Sequence, residues 1–401
     1  LEFFGTDVRD KSNVEFGPTN DALQIENVAK VMNKLNADVY VVQEVSDDPS
    51  IDILISKINI NGKTFDKTIS TSWSYSFQDP DPNFPPQKLV VLYNTKTTTV
   101  KSTKVLFKDL YDQVRLGTVV LPNYPGTETP EKNDDSFFSS GRLPYLVQIE
   151  TNIGGIKKEI NLIDLHARAN SGTDIMKYNQ RKYDIDYLKT ALDTDYPDSN
   201  LILLGDFNDD VKSWVGNVNT PSSYQKFVED NTGYNALTLG ISQAGAYSFL
   251  SSGGFLDHII ISNELNDEYI DKSIAVYDPR IDILNYTTTT SDHGPVIARF
   301  ELKEDVLSTP DFETKNGFFV KAYPNPASDV LNLTIKTNES KNLKLRLYDL
   351  NGRVLGNPIE IKSSQEVSET VMSVRSLNPG LYFYTLSENN KVVYKDKILK
   401  K

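Results

Sequence analysis

The chain has 401 residues, room for more than one domain of ordinary size. About 38% of it is apolar and 24% charged, as in soluble globular proteins, and no apolar run approaches the roughly 18 residues that read as a membrane span. The formal charge of -13 excludes coating of nucleic acid through bulk electrostatics, and the lack of cysteine excludes disulfides, thiolate metal sites and a cysteine nucleophile.

The chain opens on Leu1 rather than Met, directly into the strand-like LEFFG. That start reads as a processed or truncated N-terminus, with no signal peptide nearby. Thr19–Asn36 carries apolar residues at Leu23, Ile25, Val28, Val31, Met32 and Leu35. This spacing predicts an amphipathic helix capped by Thr19 or Asn20. Short β-rich runs predict strands at Asp38–Val45, Lys88–Asn94, Leu143–Thr151, Ile160–His166 and Asn200–Asp206. Thr173–Leu192, between the last two, reads as a helix. Late strands are predicted at Asp257–Ser262 and Pro295–Leu302. Gln78–Gln87 and Leu121–Ser140, rich in Pro, Asp and Asn, read as surface loops. Strands mix with helices without strict alternation, which points to an α/β sandwich with mixed sheets rather than a doubly wound sheet. Lys303–Gly317 looks like a linker. Phe318–Lys401, with short alternating strands and turn signals at Asn351-Gly352 and Pro379-Gly380, reads as a small all-β sandwich.

The chain has three histidines, His166, His258 and His293, each beside a strand end or in an acidic turn. Glu44 and Asp206 likewise end apolar strands, where ligands gather at the sheet rim. A single such residue is ordinarily a cap, a turn residue or a core histidine; several strands ending in Asp, Glu, Asn or His are harder to dismiss. Oxygen donors such as Glu44 and Asp292 suit a hard cation: Mg²⁺, with Mn²⁺ and Ca²⁺ as alternatives. A cation neutralises phosphate charge, an imidazole near neutral pKa takes a proton from water, and Asn or a second His binds growing oxyanion charge. No glycine-rich phosphate loop, GxSxG elbow or HExxH helix is present.

QEV at Gln43–Val45, LIDLHA at Leu162–Ala167, GDFND at Gly205–Asp209, LDHI at Leu256–Ile259 and SDHGPV at Ser291–Val296 follow in the order found in endonuclease/exonuclease/phosphatase proteins, which Leu1–Leu302 resembles. The resemblance implies a four-layer α/β sandwich of the deoxyribonuclease-I-like kind. It implies Glu44 and Asp292 as metal-site carboxylates, with Asp292 a ligand or an outer-sphere group. His166 would bind or protonate the scissile phosphate, Asp206 would orient the attacking water, and Asn208 would hydrogen-bond the phosphate. Asp257 would pair with His293, the general base, and Arg142 matches a phosphate-side arginine. His258 is as much a structural residue as a catalytic one. A metal-site Asn would fall just before Leu1, which leaves Glu2 a bystander facing solvent.

KAYPNPASDVLNL at Lys321–Leu333, LYDLNGRVL at Leu347–Leu355 and LNPGLYFYTL at Leu377–Leu386 resemble the type A sorting domain of the type IX secretion system. That likeness covers Phe318–Lys401. It implies docking on an outer-membrane shuttle and an enzyme secreted to or beyond the surface of a Gram-negative bacterium of the Bacteroidetes type. A carbohydrate-binding β-module is the plainer alternative for this region. The expected activity is an exported, metal-dependent nuclease or phosphodiesterase acting on a phosphoester, DNA or RNA among the candidates. A phosphatase or lipid phosphodiesterase of the same fold, or an inactive surface binding module, is the alternative.

Overall fold

The computed structural model describes residues 1–6, 8–9, 15–79, 85–126, 136–303, 318–337, 339–364, 368–389 and 391–401. The two expected surface loops lie partly outside these, and the expected linker almost wholly so. The chain divides into two compact units, Leu1–Glu304 and Asp305–Lys401.

In the first unit the strands of three or more residues are β1 (Val39–Val45), β2 (Phe65–Ile69), β3 (Lys88–Asn94), β4 (Thr98–Val105), β5 (Tyr145–Ile153), β6 (Ile156–His166), β7 (Leu201–Asp206), β8 (Tyr234–Ala236) and β9 (Asp257–Ser262). The long helices are α1 (Asp21–Leu35), α2 (Asp48–Ile58) and α4 (Ile175–Asp195), with the shorter α3 (Lys108–Arg115) between. One sheet has the order β8-β9-β7-β6-β5-β4 and the other β1-β3-β2. Only β6 and β7 are parallel in the larger sheet, so it is mixed, as expected.

Period-two alternation builds the layers. In β3, Leu89 and Val91 face the space between the sheets, while Val90 and Leu92 face Ile25, Val28, Ile51 and Leu54 of α1 and α2. In β7, Ile202 joins the inter-sheet core, while Leu201 and Leu203 pack with Ile185, Leu188 and Leu192 of α4. The result is helices, sheet, sheet, helices: the four-layer sandwich. The helix starts are built locally. Asn20 accepts from Leu23 N–H at 2.9 Å, Asp47 from Ser50 N–H at 2.9 Å, and Asp174 from Met176 N–H at 2.9 Å.

The expected strand Pro295–Leu302 is cut to Val296–Ile297, paired with Ala275–Val276. Beyond it, the residues to Leu302 make one isolated bridge, Phe300 to Tyr269, and border a cavity of about 570 Å³ along β1. Without a continuous partner ladder, an extended segment is not a strand. On that same side β1 has a single parallel bridge among the described residues, Val45 to Phe4.

The second unit is all β, with sheets β10-β11-β14 and β13-β12-β15-β16. Here β10 is Phe318–Tyr323, β11 Val330–Thr337, β12 Lys341–Tyr348, β13 Val354–Ser363, β14 Ser368–Ser373, β15 Gly380–Glu388 and β16 Lys391–Lys400. Leu331, Leu333 and Ile335 of β11 alternate inward onto Leu343, Leu345 and Leu347 of β12. Among the described residues, no helix is long and apolar enough to cross a membrane.

Candidate active site

Strand register lines up three of the expected residues. His166 of β6 pairs with Asp206 of β7, and Asp206 pairs with Asp257 of β9. Directly paired residues point to one face. His166, Asp206 and Asp257 therefore form a row across three strands at one rim of the sheet. Gly205, before Asp206, has φ +132°, and a Cβ there would fall 2.1 Å from the Leu165 carbonyl oxygen. Only glycine allows β6 and β7 to close up at this point.

His293 completes a dyad. Its Nδ1 lies 2.6 Å from Asp257 Oδ2, which also accepts from Ser248 Oγ at 2.6 Å. Ser248 Oγ in turn accepts from Leu256 N–H at 3.1 Å and Asp257 N–H at 3.0 Å. The carboxylate is thus clamped before it meets the imidazole. Burial alone would lower the His293 pKa, but Asp257, with Asp206 and Asp292 behind it, raises it to about 10. His293 Nε2, the nitrogen not used by Asp257, lies 3.8 Å from Asp292 Oδ1.

Asp206 is held from its own loop. Oδ1 accepts from Asn208 N–H at 2.8 Å and Oδ2 from Asn208 Nδ2 at 3.0 Å. Asn208 Nδ2 also donates to Ala167 C=O at 3.1 Å, and the residue sits at φ +51°, a conformation Asn tolerates. Its amide is thus engaged on Asp206 and Ala167 in the free protein. Burial, and then the Asp257 and Glu44 charges opposed by His293, raise Asp206 to about 7. His166 Nε2 lies 3.4 Å from Asp206 Oδ2 and 3.6 Å from Glu44 Oε1. Burial and the adjacent Arg142 push His166 well below its ordinary pKa. Arg142 Nη1 lies 2.8 Å from His166 Nδ1, and Nη2 donates to Ser139 Oγ at 3.0 Å.

Glu44 stands at a break in the β1–β3 ladder between Val42 and Val45, with φ +61°. A bulge of this kind re-aims a side chain, and the left-handed backbone is a local strain at the site. Glu44 Oε2 accepts from Phe3 N–H at 3.3 Å. Burial raises Glu44. Glu2, expected as a bystander facing solvent, is instead drawn into this group: burial, Asp292 and Glu44 raise it to about 7. The sequence signal for it was weak, since its neighbours in the site arrive from 42 and 290 residues away. His258 turns away from the row. Its Nε2–H donates to Phe255 C=O at 3.1 Å, Nδ1 accepts from Thr238 Oγ1 at 2.7 Å, and its ring packs on Phe207 and Phe255. The structural reading of His258 accounts for both of its nitrogens.

Among the described residues, no three Asp, Glu, His or Cys side chains converge closely enough to complete a metal cage. Glu2, Glu44 and Asp292 nonetheless form a carboxylate group whose mutual repulsion favours a cation. Mg²⁺ keeps several waters and is held by one or two carboxylates plus substrate oxygens, so this donor set fits it.

A mixed α/β sandwich with an imidazole–carboxylate row at its rim and arginine beside it defines a hydrolase of phosphoesters. The chain belongs to the Endonuclease/Exonuclease/phosphatase family, whose model matches residues 12–293. Residues 321–401 match the model of the secretion system C-terminal sorting domain. Similar solved structures include an endonuclease/exonuclease/phosphatase from Beutenbergia cavernae (13% identity, covering 99% of this chain and 97% of that one, TM-score 0.46). The human Nocturnin catalytic domain with bound sulfate is 16% identical over 70% of this chain and 86% of its own, with a TM-score of 0.44. A mannosyl-6-phosphatase from Bacteroides thetaiotaomicron is 13% identical over 70% of this chain and 90% of its own, with a TM-score of 0.41. No curated protein matches the chain.

Proposed function

We propose that this chain is an exported, divalent-metal-dependent phosphodiesterase whose general base is His293. The observation that carries this reading is the His293–Asp257 contact of 2.6 Å, set one strand from Asp206. Asp257 fixes the imidazole so that Nδ1 carries a proton and Nε2 faces the site, and it stabilises the imidazolium formed when water gives up its proton. The surrounding carboxylates hold His293 protonated in the metal-free protein, so the base form would require a cation at Glu44 and Asp292 to offset their charge and lower its pKa. Asp206 orients that water, with Asn208 holding both Asp206 oxygens. His166 and Arg142 bind the phosphate and the charge that grows on it. Mg²⁺ at Glu44 and Asp292, with Glu2 near, would neutralise phosphate charge and polarise the phosphorus–oxygen bond. The matched sorting domain supports export through the type IX system, with residues 303–317 as the linker to residues 318–401.

The test is hydrolysis of supercoiled plasmid and of a small bis-aryl phosphodiester, each with Mg²⁺, Mn²⁺, Ca²⁺ or EDTA, with His293→Ala as control. Metal-dependent cleavage that the variant lacks supports the reading, and plasmid nicking narrows it to a nuclease. Cleavage by His293→Ala at the wild-type rate removes the general base, and inertness of the wild type on both substrates removes the reading.

A further inference from the structure

Arg168 lies two residues beyond His166 and is 9% exposed. Its Nη2 donates to the Ser136 carbonyl, and its Nε is buried with no acceptor. No Asp or Glu among the described residues pairs with it. Arg142, which touches His166, also has a buried Nε with no acceptor. The two guanidiniums are close enough that Arg168 helps lower the Arg142 pKa, after burial and against the pull of Glu44 and Asp206. A buried guanidinium N–H without an acceptor is costly, and guanidinium forks match phosphate geometry.

The surroundings hold this arginine in place from two sides. On one, Arg181 Nη1 donates to Arg168 C=O at 3.0 Å, and Ala167 N–H donates to Asp206 C=O at 2.9 Å. On the other, Ser136 and Ser139 supply the oxygens that meet Arg168 and Arg142. In this stretch the backbone takes three consecutive left-handed residues, Phe138 (φ +44°), Ser139 (φ +52°) and Ser140 (φ +63°). That turn is tied down by Ser74 Oγ donating to Ser139 C=O at 2.7 Å and Tyr75 N–H donating to Ser140 C=O at 2.7 Å. Strain persists where surrounding bonds over-determine it, and it clusters at functional sites.

Resting on the phosphodiester reading, we infer that Arg168 binds a second, non-scissile phosphate of the substrate while Arg142 addresses the scissile one. The substrate class is then a phosphodiester with another phosphoryl group within one nucleoside of the bond cut. Arg168 is a specificity residue, with no part in the proton transfers.

The experiment compares the 4-nitrophenyl ester of thymidine 5′-phosphate with the same ester carrying a 3′-phosphate, for wild type, Arg168→Lys and the volume-matched Arg168→Met. Wild type should favour the 3′-phosphorylated ester by at least about tenfold in kcat/KM, mainly through KM; the methionine variant should bring that ratio near one and the lysine variant should keep part of it. An equal loss on both esters, or an unchanged ratio, overturns the inference. Equilibrium binding of thymidine 3′,5′-bisphosphate is measured in parallel. If wild type cleaves neither ester, the phosphodiesterase reading falls, and the binding data still judge Arg168: about tenfold weaker binding by the methionine variant supports it and equal binding overturns it.

Discussion

Asp209 is the acceptor that holds the loop after β7 together, and Asp209→Asn should unfold the first unit at clearly lower temperature. The carboxylate is fully buried. Oδ2 accepts from Ser223 N–H at 2.9 Å and Ser223 Oγ at 2.6 Å. Oδ1 accepts from Val215 N–H at 2.9 Å and Asp210 N–H at 3.1 Å. Arg181 Nη2 lies 3.3 Å from Oδ2, an ion pair without hydrogen-bond geometry, and Arg181 is itself fully buried. Asparagine keeps the shape but loses the charge. Because each oxygen meets at least one backbone N–H, its amide group must face a donor whichever way it turns. Arg181 then loses the carboxylate it is paired with, and breaking a buried ion pair costs about 3–5 kcal/mol. At roughly 2 °C or more per kcal/mol for a unit of this size, the melting temperature should fall by about 6–10 °C. Tryptophan fluorescence follows this unit alone, since both tryptophans, Trp73 and Trp214, lie in it. A fall of less than about 2 °C would refute the buried-network argument.

Asp164 is a second buried carboxylate, with one oxygen on Gln43 Nε2 at 2.7 Å and the other without a partner. Burial raises its pKa well above 3.8, so the folded state loses stability as pH rises from there. Asp164→Asn should therefore stabilise the protein at pH 7 by about 1–3 kcal/mol, and the gain should vanish below about pH 4, as read by thermal melts at both pH values. The folded-state pKa of His293 is raised, so its contribution to stability is full below about pH 6.5 and disappears as pH climbs through about 10. In EDTA, the melting difference between wild type and His293→Ala should shrink from pH 6 to pH 10; a constant difference would mean that packing, not charge, sets it. Asp257→Asn should cut phosphodiester hydrolysis by ~10²–10⁴-fold with little change in KM, because it removes the group that orients the base rather than one that holds substrate; a wild-type rate would break the dyad assignment.

Much of the framework was legible from periodicity. The helix expected from Thr19 begins at Asp21 behind its Asn20 cap, and the strand expected at Asp257–Ser262 has those bounds. Lys88–Asn94 also forms its strand as expected. Helix α2 does not stand out in the apolar spacing, although Asp47 caps it and Pro49 sits in its first turn, because its apolar face is short. The tail's alternating strands and tight turns were readable for the same reason as the strands before them: period two is a local property.

What the sequence by itself determined is chemical and local. It named the residue types at strand ends, the order of five motifs and the alternation that sorts each strand into two faces. Only the tertiary structure decided which of those residues meet. His166, Asp206 and Asp257 share a row because β6, β7 and β9 pair in one register, and a slip of one residue would send each side chain to the opposite face. His258, next to Asp257 in sequence, lies on the other side for that reason. Glu2 and Arg168 entered the site through burial and charge, which arise when distant segments pack and are not encoded in spacing along the chain.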